Sequence, residues 1–178
     1  MAKNLPDPLA EGHAYQRQLL ALLGDDDPAD VQAATPAGLR VVLEDAGSDL
    51  RRRPAPAEWS VLELLGHLAD AEIVMSGRYR WTISQDQPAL LGYDQDNWVT
   101  RLHHNDDQPD QLLAIFSGLR EGNLHLWGRT SADDRARVAL HAERGPESYE
   151  LMFRMLAGHD RFHLNQMRDS LRQVRATP

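Results

Sequence analysis

The sequence predicts an all-α fold, an antiparallel-type four-helix bundle with a short extra helix at its N-terminus. Three observations predict it. Four long segments repeat apolar residues with helical period, proline, glycine and capping residues bracket them, and one short alternating run, residues 137–141, is the only stretch that reads as extended. A chain of 178 residues suits one domain with a sizeable core, and residues 1–178 are read as a single unit: an N-terminal extension over 1–34 and a bundle core over 35–172.

Each element follows from local chemistry. Over residues 13–23, Tyr15, Leu19, Leu22 and Leu23 share a helical face, and Gly24 with Asp25-Asp26-Asp27-Pro28 stops it. Thr35-Pro36 reads as an N-cap followed by proline at the first helical position, and Leu39, Val42, Leu43, Ala46 and Leu50 carry that helix to about residue 53. Arg51-Arg52-Arg53 then falls where cations favour a helix C-terminus, ahead of Pro54. The next helix, over 60–83, has a heavily specified start. Ser60 and Glu63 have capping-box spacing, and Trp59 with Leu64 has the spacing of a hydrophobic staple.

Residues 84–108 lose the pattern and read as a long polar loop joining the second and third bundle helices, anchored by Tyr93 and Trp98. Pro109 opens the third bundle helix, with Leu112, Phe116, Leu119, Asn123 and Leu126 on its seam and an end near Trp127-Gly128. After the extended run, which Gly145-Pro146 ends, the last helix covers residues 148–172. Its line of Met152, Leu156, His159, His163, Gln166 and Ser170 sets two imidazoles into an apolar stripe.

Composition narrows the function. A formal charge of −8 and a pI near 5.4 oppose a nucleic-acid partner. Cysteine is absent, which removes disulfides, thiolate ligands and a cysteine nucleophile. No apolar run approaches the length of a membrane span and the N-terminus lacks a signal-peptide core, so a cytoplasmic protein with no membrane partner is the expectation.

His159 and His163, one turn apart, could hold one divalent ion, and His67, between Leu64 and Ala71 on the inward side of its helix, is the candidate third ligand. Three neutral imidazoles would leave one position open to water or substrate; zinc, nickel or iron would accept the set. Packed core histidines remain the alternative until the two helices are shown to be neighbours. Glu63 and Asp70, each one turn from His67, and Gln166, near His163, are candidates to orient the ligands from behind. Asp160 and Arg161 sit off the stripe, where a surface ion pair is expected. His103 and His104 read as solvated loop residues, and His13, His125 and His141 have no partner that spacing identifies.

Trp59-Ser60, Glu63 and His67-Leu-Ala-Asp-Ala-Glu72, followed by His159-Asp-Arg-Phe-His163-Leu-Asn-Gln166, resemble the DinB-like superfamily of damage-inducible four-helix bundle proteins. The resemblance runs from about Leu39 to Leu171. It implies a divalent metal, usually zinc or nickel, on three histidines matching His67, His159 and His163, with homodimers common. Several branches of that family join a low-molecular-weight thiol such as bacillithiol, mycothiol or glutathione to an electrophile. Where relatives often carry a further histidine just before the last ligand, this chain has Phe162. The expectation is therefore a metal-dependent, stress-response enzyme acting on a small thiol and an electrophile, with Tyr93 and Trp98 as apolar contacts to substrate. A metal-dependent hydrolase and a non-catalytic binding protein are the alternatives.

Overall fold

In the computed structural model, which describes residues 5–176, helices α1 (Gly12–Leu23), α2 (Pro28–Ala46), α3 (Val61–Ser84), α4 (Gln95–Arg101), α5 (Pro109–Arg129), α6 (Ala132–Ala136) and α7 (Tyr149–Ala176) dominate. The bundle is built from α2, α3, α5 and α7. Helix α2 packs against α5 and α7, and so does α3, so α2 and α3, consecutive in sequence, sit diagonally. The extra helix α1 lies along α7. Gly158 permits that approach: a Cβ there would fall 2.0 Å from the carbonyl oxygen of Leu19.

The core follows from the apolar stripes. Leu39 and Val42 of α2, Leu62, Leu65 and Leu68 of α3, Phe116 of α5 and Met167 with Leu171 of α7 form one cluster. Each fully buried aliphatic or aromatic side chain there contributes about 1.5–3 kcal/mol relative to exposure. A second cluster, around Tyr79, Tyr149 and Phe153, lies beneath a small sheet. Its strands β1 (Ala89–Leu90), β2 (Val138–His141) and β3 (Gly145–Ser148) are ordered β1-β2-β3, with β1 parallel and β3 antiparallel to β2. The extended run at 137–141 is thus half of a hairpin. Gly145-Pro146 does not end it but begins the returning strand.

Helix α2 starts earlier than Thr35-Pro36 implies. Asp27 is the N-cap, its carboxylate accepting from the amides of Ala29 and Asp30, with Pro28 at the first helical position. Pro36 then lies inside the helix and leaves the Gln32 carbonyl without its usual donor. Arg120 of α5 supplies the missing hydrogen bond, its Nη1 lying 3.0 Å from that oxygen. The helix also ends earlier, at Gly47 with φ 48°, and the three arginines do other work. Arg51 donates to the carbonyls of Asn105 and Asp107, Arg52 pairs with Asp49, and Arg53 pairs with Glu63.

Asp160 is not a surface residue. It is fully buried and accepts from Arg120 and from the hydroxyl of Thr35 at 2.8 Å. Arg120 also donates from Nε to Glu72 at 2.6 Å, so one guanidinium ties together all four bundle helices. Arg161 does reach the surface, pairing with Asp26 and donating to the last carbonyls of α1. Residues 84–108 are not a featureless loop either. They hold β1, α4 and a 3-10 turn at His104–Asp106, because β1 finds hydrogen-bond partners in a strand some 50 residues away that no local pattern reveals. No helix among the described residues is long and apolar enough to cross a membrane.

Candidate metal centre

The start of α3 is fixed as its sequence requires. Ser60 Oγ accepts from the Glu63 amide at 3.1 Å while the Glu63 carboxylate accepts from the Ser60 amide at 2.8 Å. Two turns further on, His67 turns inward against the Trp59 ring, 5.1 Å away between centroids. Helix α7 packs beside α3 and brings His159 and His163 to the same point. The Nε2 atoms of His67 and His159 are 3.0 Å apart, and ring nitrogens of all three residues lie within 4.8 Å of one another.

All three rings are buried. Burial, with the neighbouring His163 next in weight, holds His67 and His159 well below the ordinary histidine range; for His163 burial prevails over its hydrogen bond to Gln166 and brings it down to about 4. The rings are therefore neutral at pH 7, each with one lone pair. His163 Nδ1 donates to Gln166 Oε1 at 2.8 Å, which leaves the lone pair on Nε2.

This donor set fits a divalent ion. Two neutral nitrogens facing each other at 3.0 Å share at most one proton, whereas a common ion satisfies both lone pairs. Nitrogens each about 2.0–2.1 Å from one zinc are roughly 3–3.5 Å apart. His159 Nδ1 is buried without a protein partner, unlike the Nδ1 of His163.

The candidates behind the ligands divide. Gln166 touches His163, but Glu63 and Asp70 do not bond His67. The Glu63 carboxylate is engaged by the Ser60 amide and by Arg53, and Asp70 accepts from His104 Nε2 at 2.7 Å. His104 is buried rather than solvated, and its other nitrogen is 2.8 Å from Asp107. The Asp107 partner, three residues away, was readable; Asp70, on another element, was not.

An apolar cavity opens on His67 and His159, walled by Ala71, Val74 and Met75 of α3 and by Met152, Met155 and Leu156 of α7. Tyr93 lines it. Trp98 does not; its ring lies against that of Tyr93, with centroids 4.6 Å apart and planes tilted by 45°. On the other side, His163, Trp59, Phe162 and Gln166 border a broader groove, and Gln95 of α4 borders both spaces. Arg78, His141 and Arg144 complete the far end of the cavity. None of them was singled out by spacing, because each acquires its neighbours through tertiary packing.

The sequence pattern described as the DinB superfamily matches residues 33–167. Two proteins of Oceanobacillus iheyensis, both provisionally named as metal-dependent hydrolases, are similar to this chain. One is 22% identical over 129 residues, covering 69% of this chain and 70% of the relative. The other is 26% identical over 107 residues, covering 60% and 61%. Among solved structures, YfiT from Bacillus subtilis superposes with a TM-score of 0.73 at 18% identity, over 94% of this chain and 91% of its own. That structure is described as a four-helix bundle of unusual topology, and the diagonal placement of α2 and α3 is the feature of this bundle that departs from a simple up-and-down order. With its fold, its three-histidine cluster and a family match over most of its length, the chain belongs to the DinB superfamily.

Proposed function

We propose that the protein is a divalent-metal-dependent enzyme that joins a small thiol to an electrophilic small molecule at His67, His159 and His163. One observation carries the choice of reaction. Among the described residues, the group able to share an ion is three imidazoles with no carboxylate, and the carboxylates one turn from His67, Glu63 and Asp70, are engaged by Arg53 and His104. Hydrolysis gains from a general base within hydrogen-bond reach of water; a thiol, far more acidic than water, would release its proton to solvent, and the electrophile's leaving group would depart as the carbon–sulfur bond forms.

A divalent ion held by His67, His159 and His163 would supply a Lewis acid that favours the thiolate form of a thiol at neutral pH. The chain's own residues do the rest. Burial keeps the imidazoles neutral and available, Gln166 fixes the tautomer of His163, and Trp59 holds the His67 ring in place. The methionine and leucine walls suit an apolar electrophile and keep competing water away. Zinc and nickel both match the donor set.

The second reading, a metal-dependent hydrolase, is favoured by the names of the relatives. Metal-loaded protein offered thiols with alkylating electrophiles, and separately esters and amides without thiol, separates the two. Thiol consumption matched by product supports transfer. Turnover of esters or amides with no thiol present, and none of the thiols consumed, overturns it in favour of hydrolysis.

A further inference from the structure

The cavity that meets His67 and His159 has a second polar end. One face of α3 runs along it, with His67, Ala71, Val74 and Arg78 following at steps of four, three and four and Met75 beside Val74. Eleven residues at 1.5 Å each place Arg78 about 16 Å beyond His67 along the helix axis, and side chains tilt toward the N-terminus, back toward His67.

Arg78 is 6% exposed. Its guanidinium donates to the Leu91 carbonyl and approaches the Met75 sulfur at 3.8 Å, and among the described residues no carboxylate pairs with it. Arg144, at the same end, is met differently: its Nε and Nη2 bond Glu147 at 2.6 and 3.0 Å. Burial and the neighbouring Arg144 weigh against the Arg78 charge; Glu147 is near enough to favour it, yet its oxygens are engaged by Arg144. A buried, always-charged guanidinium with unused N–H donors is costly until a counter-charge arrives.

His141 of β2 lies at the same end. Its side chain is fully buried, and its Nδ1 is 2.9 Å from the Glu143 carboxylate and 3.3 Å from the Glu143 amide nitrogen. A carboxylate oxygen at that distance needs the ring proton on Nδ1, so Nε2 carries the lone pair of the neutral ring, and it is buried without a protein partner. Burial, followed by the charges of Arg144 and Arg78, brings the imidazole down to about 3, so the ring stays uncharged. Tyr15 lines the same end and keeps its proton, since burial pushes it up to about 12.

We infer that Arg78 forms an oxyanion subsite, which takes a carboxylate on the small molecule whose other end reaches the three histidines. Only the second half of that statement rests on the proposed function. The subsite itself stands on the buried guanidinium that no carboxylate pairs with, among the described residues, and on its place at the end of the cavity. It selects acidic substrates, and the apolar stretch between its two ends sets their length.

Benzoate and its uncharged analogue benzamide test this by ligand-observed NMR, on the protein as purified and after chelator treatment. Benzoate is expected to bind at least tenfold more tightly than benzamide, with the preference surviving chelation. Arg78→Gln should weaken benzoate at least tenfold and leave benzamide unchanged, and Arg78→Lys should recover part of the loss. Circular dichroism checks folding; should Arg78→Gln not fold, Arg78→Met and Arg78→Lys carry the comparison. Equal binding of the two probes, no binding of either, loss of the benzoate preference on chelation, or unchanged benzoate affinity in the folded variants overturns the subsite. Because no thiol or turnover enters, absence of thiol transfer with benzoate binding intact would overturn the proposed reaction alone.

Discussion

Arg120 of α5 donates to both carboxylate oxygens of Asp160, the residue that follows the metal-site candidate His159 on α7. The same guanidinium reaches Glu72 of α3, five residues after His67. One buried charge network thus holds together the two helices that carry the three histidines. Removing a single partner leaves an uncompensated buried charge, which costs about 3–5 kcal/mol. Arg120→Met is therefore expected to lower the free energy of urea unfolding by that amount; an unchanged midpoint would show that the network is dispensable.

Gln166 and Glu63 should separate in their effects. Gln166 holds the Nδ1 proton of His163, so Gln166→Ala is expected to weaken metal affinity about 10- to 100-fold. Glu63 closes the cap of α3 without touching His67, so Glu63→Ala should cost roughly 0.5–2 kcal/mol of stability and change metal affinity little. Competition with a chromogenic chelator and urea unfolding measure the two quantities. Equal loss of metal affinity in both variants would contradict the assignment.

His104 makes stability depend on pH. Hydrogen bonding to Asp70, opposed by burial and reinforced by Asp107, raises its pKa above the ordinary value. Above about pH 6.5 the folded protein consequently binds more proton than the unfolded chain. The stabilisation is fully present below that pH and is lost as pH rises through the raised folded value. The unfolding midpoint of the wild type should fall relative to that of His104→Gln between about pH 6 and pH 9. Parallel curves would refute the ion pair.

Gly158 leaves room for the backbone of α1. Gly158→Ala would drive a methyl group against the Leu19 carbonyl and should destabilise by about 1–3 kcal/mol. Hydrogen exchange should show α1 losing protection before the bundle does. Wild-type protection of α1 would mean the two helices pack less closely than described.

Much of this was legible because it is written in local spacing. The cap at Ser60, proline at the start of α5 and the apolar lines of α3 and α7 are sequence patterns, and the resemblance of their histidine motifs pointed to the family. What stayed hidden depends on contacts between distant elements. Asp160 sits off the apolar stripe and reads as exposed until Arg120 meets it. Thr35-Pro36 imitates a helix start, and the imitation fails because Arg120 supplies the hydrogen bond that Pro36 leaves open. Residues 84–108 read as a loop since β1 is two residues long and, among the described residues, pairs only with β2. His141 belongs to a short strand and gained a neighbourhood only when the hairpin folded against α3.

The most direct test of the central claim is the metal content of the protein by mass spectrometry after loading with zinc or nickel and exhaustive dialysis, for the wild type and for His67→Ala, His159→Ala and His163→Ala. One ion per chain is expected in the wild type, and each substitution should reduce it to a small fraction while the variant remains folded. No bound ion in the wild type, or full occupancy in the variants, would contradict a centre built from these three histidines.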